Sequence, residues 1–389
     1  VSTFTERGVP FRAPGHPQGL FALEGAIDLF AQQIGMDPLE VRLKNDPHPV
    51  RQAQWRVGAE RIGWAKERRK TPGSDPGPVK RGLGCAAGLW YAAGRGDWKV
   101  DLTVARDGTV TVMNAVQDIG TGTRTLLAIL VAEELGVAPS RVQVRIGDTR
   151  FPPGPGSGGS TTAPSMGPAA REAGLRAREQ LEGLLAAEWG VDPKEVKGKD
   201  GTFAGPGGTK ATFQQACALI GDAGLSVQGV RRENYAGYHG QTAGCQFAQV
   251  AVDVETGVVA VERVVAVHDC GRVVDALTAR SQVNGGVIQG VSYALFEERR
   301  LDRAQGDMVN PTLDTYRIAG MKDCPEIDVI LTSLVSGFNN VGMMGLGEPA
   351  TVPTAAAIGS AVFNAIGVQV RELPMTPARV LAALERRAS

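Results

Sequence analysis

The spacing of apolar and polar positions divides the chain into a helical beginning and a longer, strand-rich remainder. Leu20, Leu23, Ile27, Phe30 and Ile34 recur at three- and four-residue steps, which predicts a helix with one apolar face turned to the core. Gly35 ends it, and Asp37-Pro38 opens a second, short helix through Leu39 and Leu43. Residues 46–80 are polar, with prolines at 47, 49, 72, 76 and 78, and read as a connector. From Arg81 onwards a period of two takes over. Residues 100–104 and 110–112 flank Asp107-Gly108, and residues 250–254 and 258–267 flank Glu255-Thr256-Gly257; both read as hairpins.

Each hairpin leads into a polar, glycine-bearing turn and then a helix. The first turn covers residues 117–125, before a helix to Glu134 stopped by Gly136; the second covers 282–290 and opens a helix to Glu298. Residues 141–146 alternate as a further strand. Residues 152–159 form a Pro/Gly loop ending in Ser160-Thr161-Thr162, ahead of a long helix over 168–189. Residues 314–317 and 327–331 supply extended pieces. The sum is an α+β fold with mixed sheets and helices, not a regular βαβ alternation.

Composition narrows the function. The 389 residues carry 41 Lys+Arg and 41 Asp+Glu, so there is no net field to favour nucleic acid or an anionic membrane. No apolar run reaches the length expected of a membrane span, and V-S-T-F-T-E-R-G lacks the pattern of a signal peptide. The five cysteines show no C-x-x-C and the four histidines do not cluster, which argues against a zinc site or an iron–sulfur cluster on this chain. The 51 glycines, spread in short motifs, imply tight turns and close backbone approaches.

Residues 154–159 formally match G-x-G-x-x-G, but Pro152, Pro153 and Pro155 break the strand entry that a dinucleotide fingerprint requires. Four glycine motifs make a stronger case together. They are Gly120-Thr121-Gly122, residues 158–162, Gln282 with Gly285-Gly286, and residues 345–348. Each offers backbone N–H groups beside Gln, Ser or Thr at the mouth of a helix, as a large polar or anionic ligand requires. Helix caps and turns use the same residue types, so any one motif alone has a structural reading. The last motif, V-G-M-M-G-L-G-E-P, carries one acid, Glu348, among small and apolar residues. That setting suits a general base as well as a first-turn acid.

In order, F-R-A-P-G-H-P-Q, I-G-M-D-P-L-E-V-R-L-K-N-D, D-I-G-T-G-T-R-T, P-G-S-G-G-S-T-T, Q-V-N-G-G-V-I-Q-G and G-L-G-E-P run nearly end to end. With them the chain resembles the molybdenum-binding subunit of the xanthine dehydrogenase/aldehyde oxidase family, most of all its bacterial aldehyde and isoquinoline oxidoreductase branch. The resemblance implies a molybdenum cofactor, a molybdopterin in the cytosine dinucleotide form, held through its dithiolene with no direct protein ligand to the metal. It casts Glu348 as the base and Arg12 as a cation beside metal and substrate. Gly120, Thr121, Gly122, Gly158, Gly159, Ser160, Thr161, Thr162, Gln282 and Gly347 become cofactor-binding residues.

Further expectations follow from the same resemblance. The reaction is oxidation of an aldehyde or aromatic N-heterocycle with oxygen from water. Electrons pass to a small [2Fe-2S] partner subunit, with a FAD subunit as a further candidate. Thr121 and Pro14 stand where the xanthine-oxidising branch has Gln and Phe, which disfavours a purine. Residues 1–80 are expected to form the Arg loop, helical segment and connector, and residues 81–389 a second molybdopterin-binding domain in two halves, about 81–235 and 236–389. Another glycine loop precedes the Arg loop in the family, so a partner chain is expected to supply the first part of the molybdenum domain. The competing expectation is a non-catalytic cofactor-binding or scaffold fragment. The compartment, cytoplasm or periplasm, stays open.

Overall fold

A computed structural model of the chain describes residues 9–91, 93–231, 241–334 and 339–388. The first eight residues, His239 and the expected division near residue 235 lie outside the described residues. The beginning is helical: α1 (His16–Gln33), α2 (Pro38–Asn45), α3 (Pro49–Ile62) and the single turn α4 (Trp64–Glu67). The connector expected over residues 46–80 is therefore largely helix. Pro49 sits at a helix start, where its missing N–H costs nothing, and Trp55 and Ile62 are buried against the strands that follow. The inward face expected of α1 is also corrected. Leu23, Phe30 and Ile34 are exposed, whereas Glu24 and Asp28 are buried. Arg42 of α2 reverses the preference: its Nε donates to Glu24 Oε2 at 2.7 Å and its Nη1 to Asp28 Oδ1 at 2.9 Å.

The remainder contains two sheets of the same pattern. The chain runs through β1 (Val79–Tyr91), β2 (Lys99–Val104), β3 (Val110–Asn114), α5 (Thr123–Leu135), β4 (Val142–Ile146) and α6 (Thr162–Trp189). A small sheet of β5 (Lys197–Lys199), β6 (Thr202–Ala204) and β7 (Lys210–Thr212) follows, then α7 (Phe213–Cys217) and β8 (Leu225–Val230). Next come β9 (Gln241–Asp253), β10 (Val259–Asp269), α8 (Ala276–Leu295), β11 (Glu326–Thr332), α9 (Thr354–Ile366) and α10 (Pro377–Ala388). One sheet has the order β4-β3-β2-β8 and the other β11-β10-β9-β1. In each, an antiparallel hairpin is followed by a helix and then a strand parallel to the hairpin's second strand. Residues 314–317, expected to be extended, are turns.

β1 precedes the first sheet in sequence but pairs with β9 over its whole length, so the strand opening the first expected half belongs to the second sheet. Helix α9 lies directly on it. A Cβ at Gly84 would collide with the backbone N of Ala361, so glycine lets helix and strand meet backbone to backbone. The two cores are centred on Leu102, Leu127 and Met166, and on Val250, Val287 and Ile358. Residues Pro349–Ile366 have the length and composition of a membrane span, contrary to expectation, but 94% of that stretch is buried inside the protein. Its alanines and small residues pack against β1 and β9, so it is a core helix.

The repeated topology has a functional consequence. The connections after β3, β4, β10 and β11 all reach one cleft, and each supplies part of its wall.

Candidate active site

The connection after β3 is shaped by Asp118. Its Oδ1 accepts from the N–H groups of Gly120 at 3.0 Å and Gly122 at 3.1 Å, and its Oδ2 from Arg124 N–H at 3.1 Å. Burial would raise the Asp118 carboxyl pKa, but these N–H bonds outweigh it and hold it below its ordinary value. The result is a tight turn presenting Thr121 and Gly122 to the cleft. No role for Asp118 follows from sequence reasoning, although Asp two residues before Gly-Thr-Gly is a recognisable turn signal.

The connection after β4 meets the one after β11. Ser160 Oγ accepts from Glu348 N–H at 2.8 Å and donates to Glu348 Oε2 at 3.2 Å. A Cβ at Gly345 would strike the Ser160 carbonyl oxygen, so only glycine allows the two loops to close on each other. The other carboxylate oxygen, Glu348 Oε1, accepts from Ala13 N–H at 3.1 Å. Ala13 and Ser160 both have left-handed backbone, φ 56° and 59°, a conformation costing roughly 1 kcal/mol or more for a residue with a Cβ. Two of the three such residues among those described therefore converge on one carboxylate.

Arg12 joins this assembly through its guanidinium. Nε donates to Gly347 O at 2.7 Å, Nη2 to Gln282 O at 3.0 Å, and Nη1 to Gln289 Oε1 at 3.4 Å. Burial lowers its pKa, with Tyr293 and Glu348 acting against that, and an arginine stays charged throughout. Gln289, two α8 turns beyond the family-matched Gln282, is a partner that sequence reasoning missed. Gln282 itself corrects an expectation: it lies within α8, which begins at Ala276 behind the cap of Asp275, and not at a helix mouth. Gly286 is not a ligand turn either, because it lets α8 approach Ala350 closely. The Gln282 side chain nevertheless faces the cleft and donates to Gly120 O at 3.3 Å.

The cleft has a volume of about 740 Å³. Arg12, Gln282, Gly347 and Glu348 line it from one side, and Thr121, Gly122, Gly158, Gly159, Ser160 and Thr162 from the other. Gly120 and Thr161 are not part of this lining; Gly120 O receives Gln282 and Thr161 Oγ1 donates to Gly158 O at 3.1 Å. Trp90 forms part of the floor and donates its indole N–H to Gly159 O at 3.0 Å. Phe11, Leu126, Val273, Met343 and Met344 make the intervening wall apolar. Arg272 is turned to Glu133 and Asp275 caps α8, which leaves Arg12 and Glu348 as the charges directed at the centre.

This donor set fits a molybdopterin-type group. Among the described residues no group of three or more His, Cys, Asp or Glu side chains converges to hold a bare metal ion. The cleft instead offers amide N–H groups, hydroxyls and the N-terminus of α6, where Thr161 does not cap with its side chain; at α5 the Asp118 carboxylate already takes the first-turn N–H of Arg124. Free first-turn N–H groups favour phosphate, and the size suits one large ligand.

Comparison with known proteins decides the family. A model of the molybdopterin cofactor-binding domain matches residues 57–325, and a second model of that description matches residues 1–46. The chain belongs to the molybdopterin cofactor-binding domain family. Its relatives of this family include the Escherichia coli (strain K12) aldehyde oxidoreductase molybdenum-binding subunit PaoC, 35% identical over 97% of this chain and 52% of that protein. The putative xanthine dehydrogenase molybdenum-binding subunit XdhA of the same organism is 30% identical over 95% of this chain and 52% of that protein. The solved aldehyde oxidoreductase of Desulfovibrio gigas superposes with a TM-score of 0.79 at 26% identity, covering 97% of this chain and 42% of that one. The chain thus spans about half the length of the relatives it matches, and the mixed α+β fold is that of the family.

Proposed function

We propose that this chain is the part of a molybdenum hydroxylase that carries the base, and that the enzyme oxidises an aldehyde or an aromatic N-heterocycle. The observation that carries the reading is the convergence on Glu348. Three hydrogen bonds fix the residue from Ser160 and Ala13, two of them to its carboxylate, and Arg12 clamps the preceding carbonyl. Such an arrangement keeps the carboxylate aimed into the cleft with little reorganisation, as proton abstraction demands. Arg12 supplies positive charge beside the same point, where negative charge developing on a substrate is stabilised. The bound molybdenum centre would supply the two-electron oxidation and the site of oxygen insertion from water.

Residues at the cleft also support the substrate class. Pro14 and Thr121, which stand where the purine-oxidising branch has Phe and Gln, both line it, and Phe11, Leu126, Val273, Met343 and Met344 give it an apolar stretch. The open N-terminus of α6 supports a cofactor bearing phosphate groups, for which we adopt the cytosine dinucleotide form. Partners complete the picture: a chain or segment supplying the first part of the molybdenum domain, a [2Fe-2S] subunit and a FAD subunit. The exposed Leu23, Phe30 and Ile34 of α1 support a covering partner on that side. The test is to purify the complex containing this chain, measure its molybdenum, and assay benzaldehyde, quinoline and xanthine with a dye acceptor. Molybdenum stoichiometric with the chain and turnover of benzaldehyde or quinoline are expected; a molybdenum-free complex, or one that oxidises xanthine alone, contradicts the reading.

A further inference from the structure

A buried polar cluster stands directly behind the Glu348 loop. Glu348 is followed by one 3-10 turn, Pro349–Thr351, closed by Thr351 N–H to Glu348 O at 3.1 Å. Two side chains from distant elements hold the carbonyls of this turn. Gln246, on β9 and fully buried, donates to Ala350 O at 2.7 Å. Tyr293, on α8, donates its hydroxyl to Thr351 O at 3.0 Å and lies 2.9 Å from Thr351 Oγ1. The cluster continues from Gln246. Its Oε1 accepts from Thr354 Oγ1 at 2.7 Å, and its amide nitrogen faces Nε2 of the buried His268 at 3.3 Å.

We propose that Gln246 and Tyr293 are positioning residues for the base, fixing the turn that aims Glu348. Burying an amide and a phenol in a core of alanine and valine is unfavourable unless both are bonded. Satisfied groups, however, admit one arrangement only, which is what a catalytic loop needs. Both amide donors of Gln246 are engaged, to Ala350 O and to His268 Nε2, and its carbonyl takes Thr354, so the amide has no alternative orientation. Burial, with Arg12 adding to it, pushes the His268 pKa down to about 3, so the ring is neutral; accepting from Gln246 at Nε2 leaves its proton on Nδ1, which is buried without a partner among the described residues. Burial pushes Tyr293 up to about 12, so its hydroxyl remains a donor.

The inference rests on the reading of Glu348 as the base, and the experiment separates the two. Tyr293→Phe and Gln246→Met are made in the complex containing this chain, each alone and in a Glu348→Gln background. With cofactor loaded, and benzaldehyde or quinoline as substrate, each single variant is expected to lower kcat about tenfold at unchanged molybdenum content and near-constant KM. In the Glu348→Gln background each adds less than about twofold, because a residue acting through Glu348 has nothing left to position. Amide hydrogen exchange over residues 348–354 of the cofactor-free complex is expected to accelerate in both variants. The proposal is overturned if kcat holds at native molybdenum content, if the effects multiply with that of Glu348→Gln, or if exchange at the turn is unchanged. If Glu348→Gln is itself without effect, it is the assignment of the base that fails.

Discussion

Ser160 and Glu348 are bonded to each other twice, through the backbone N–H of Glu348 and through its carboxylate, across 188 residues of chain. One hydroxyl therefore sets both where the acid's backbone lies and where its side chain points. Ser160 holds this position at φ 59°. Replacing it separates the two contributions. Ser160→Gly relieves the backbone and Ser160→Ala does not, yet both remove the hydroxyl. Turnover is expected to fall several-fold and equally in the two, while Ser160→Ala is less stable than Ser160→Gly by roughly 1 kcal/mol. Steady-state kinetics and thermal unfolding of both variants check this.

Arg12 reaches three acceptors on two elements with a planar fork, Gly347 O, Gln282 O and Gln289 Oε1. Lysine keeps the charge but cannot make this pattern. Arg12→Lys is expected to lower kcat/KM at least about tenfold, although the cleft stays cationic. If charge alone mattered, the lysine enzyme would match the parent in the same assay.

Arg42 serves two buried acids, Glu24 and Asp28, and Glu24 Oε1 also accepts from Ala87 N–H of β1 at 3.0 Å. Arg42→Met strands both carboxyls in the interior. The expected loss is about 3–5 kcal/mol, read by denaturant unfolding. The triple replacement Arg42→Met with Glu24→Gln and Asp28→Asn is expected to recover part of it, since the uncompensated charges are then gone.

His268 gives the fold an acid limb. Its pKa in the folded protein is about 3, whereas an unfolded histidine titrates near 6.5. The unfolded chain therefore binds the extra proton first, and stability falls as pH drops from about 6.5 towards 3. His268→Gln is expected to show a smaller decline between pH 7 and pH 5 than the parent in matched urea titrations, even if it is less stable at pH 7.

The two hairpins are legible in the sequence because Asp107-Gly108 and Glu255-Thr256-Gly257 separate apolar runs; the strands of the first bury alternate residues, whereas residues 244–248 and 264–269 of the second are buried on both faces. The small sheet β5-β6-β7 leaves no such trace, since three-residue strands are too short to show a period. Helix α1 is legible as a helix but not in its orientation. The apolar spacing of Leu23, Phe30 and Ile34 says nothing of Arg42, which makes burial of Glu24 and Asp28 favourable from another helix. Sequence signals report an element's own residues; partners brought by the fold can reverse them.

The candidate site divides in the same way. Glycine turns and an isolated acid are visible as patterns, and the order of motifs brings out the family resemblance. What is not visible is how the four connections meet, because the contacts of Ser160, Ala13 and Arg12 with the Glu348 loop cross 188 to 335 residues. Gln282 illustrates the difference. It is expected to bind the cofactor from a helix mouth, and it lines the cleft, yet from inside a helix that begins six residues earlier.

The central claim is that Glu348 removes the proton in the reaction of a molybdenum-loaded site. Replacing it by glutamine preserves shape and most hydrogen bonding while abolishing the basic carboxylate. The decisive measurement is kcat of Glu348→Gln against the parent complex at matched molybdenum content. A fall of roughly 10²–10⁴-fold with KM little changed is expected of a lost general base. Turnover at the parent's rate with the same molybdenum content would contradict the account.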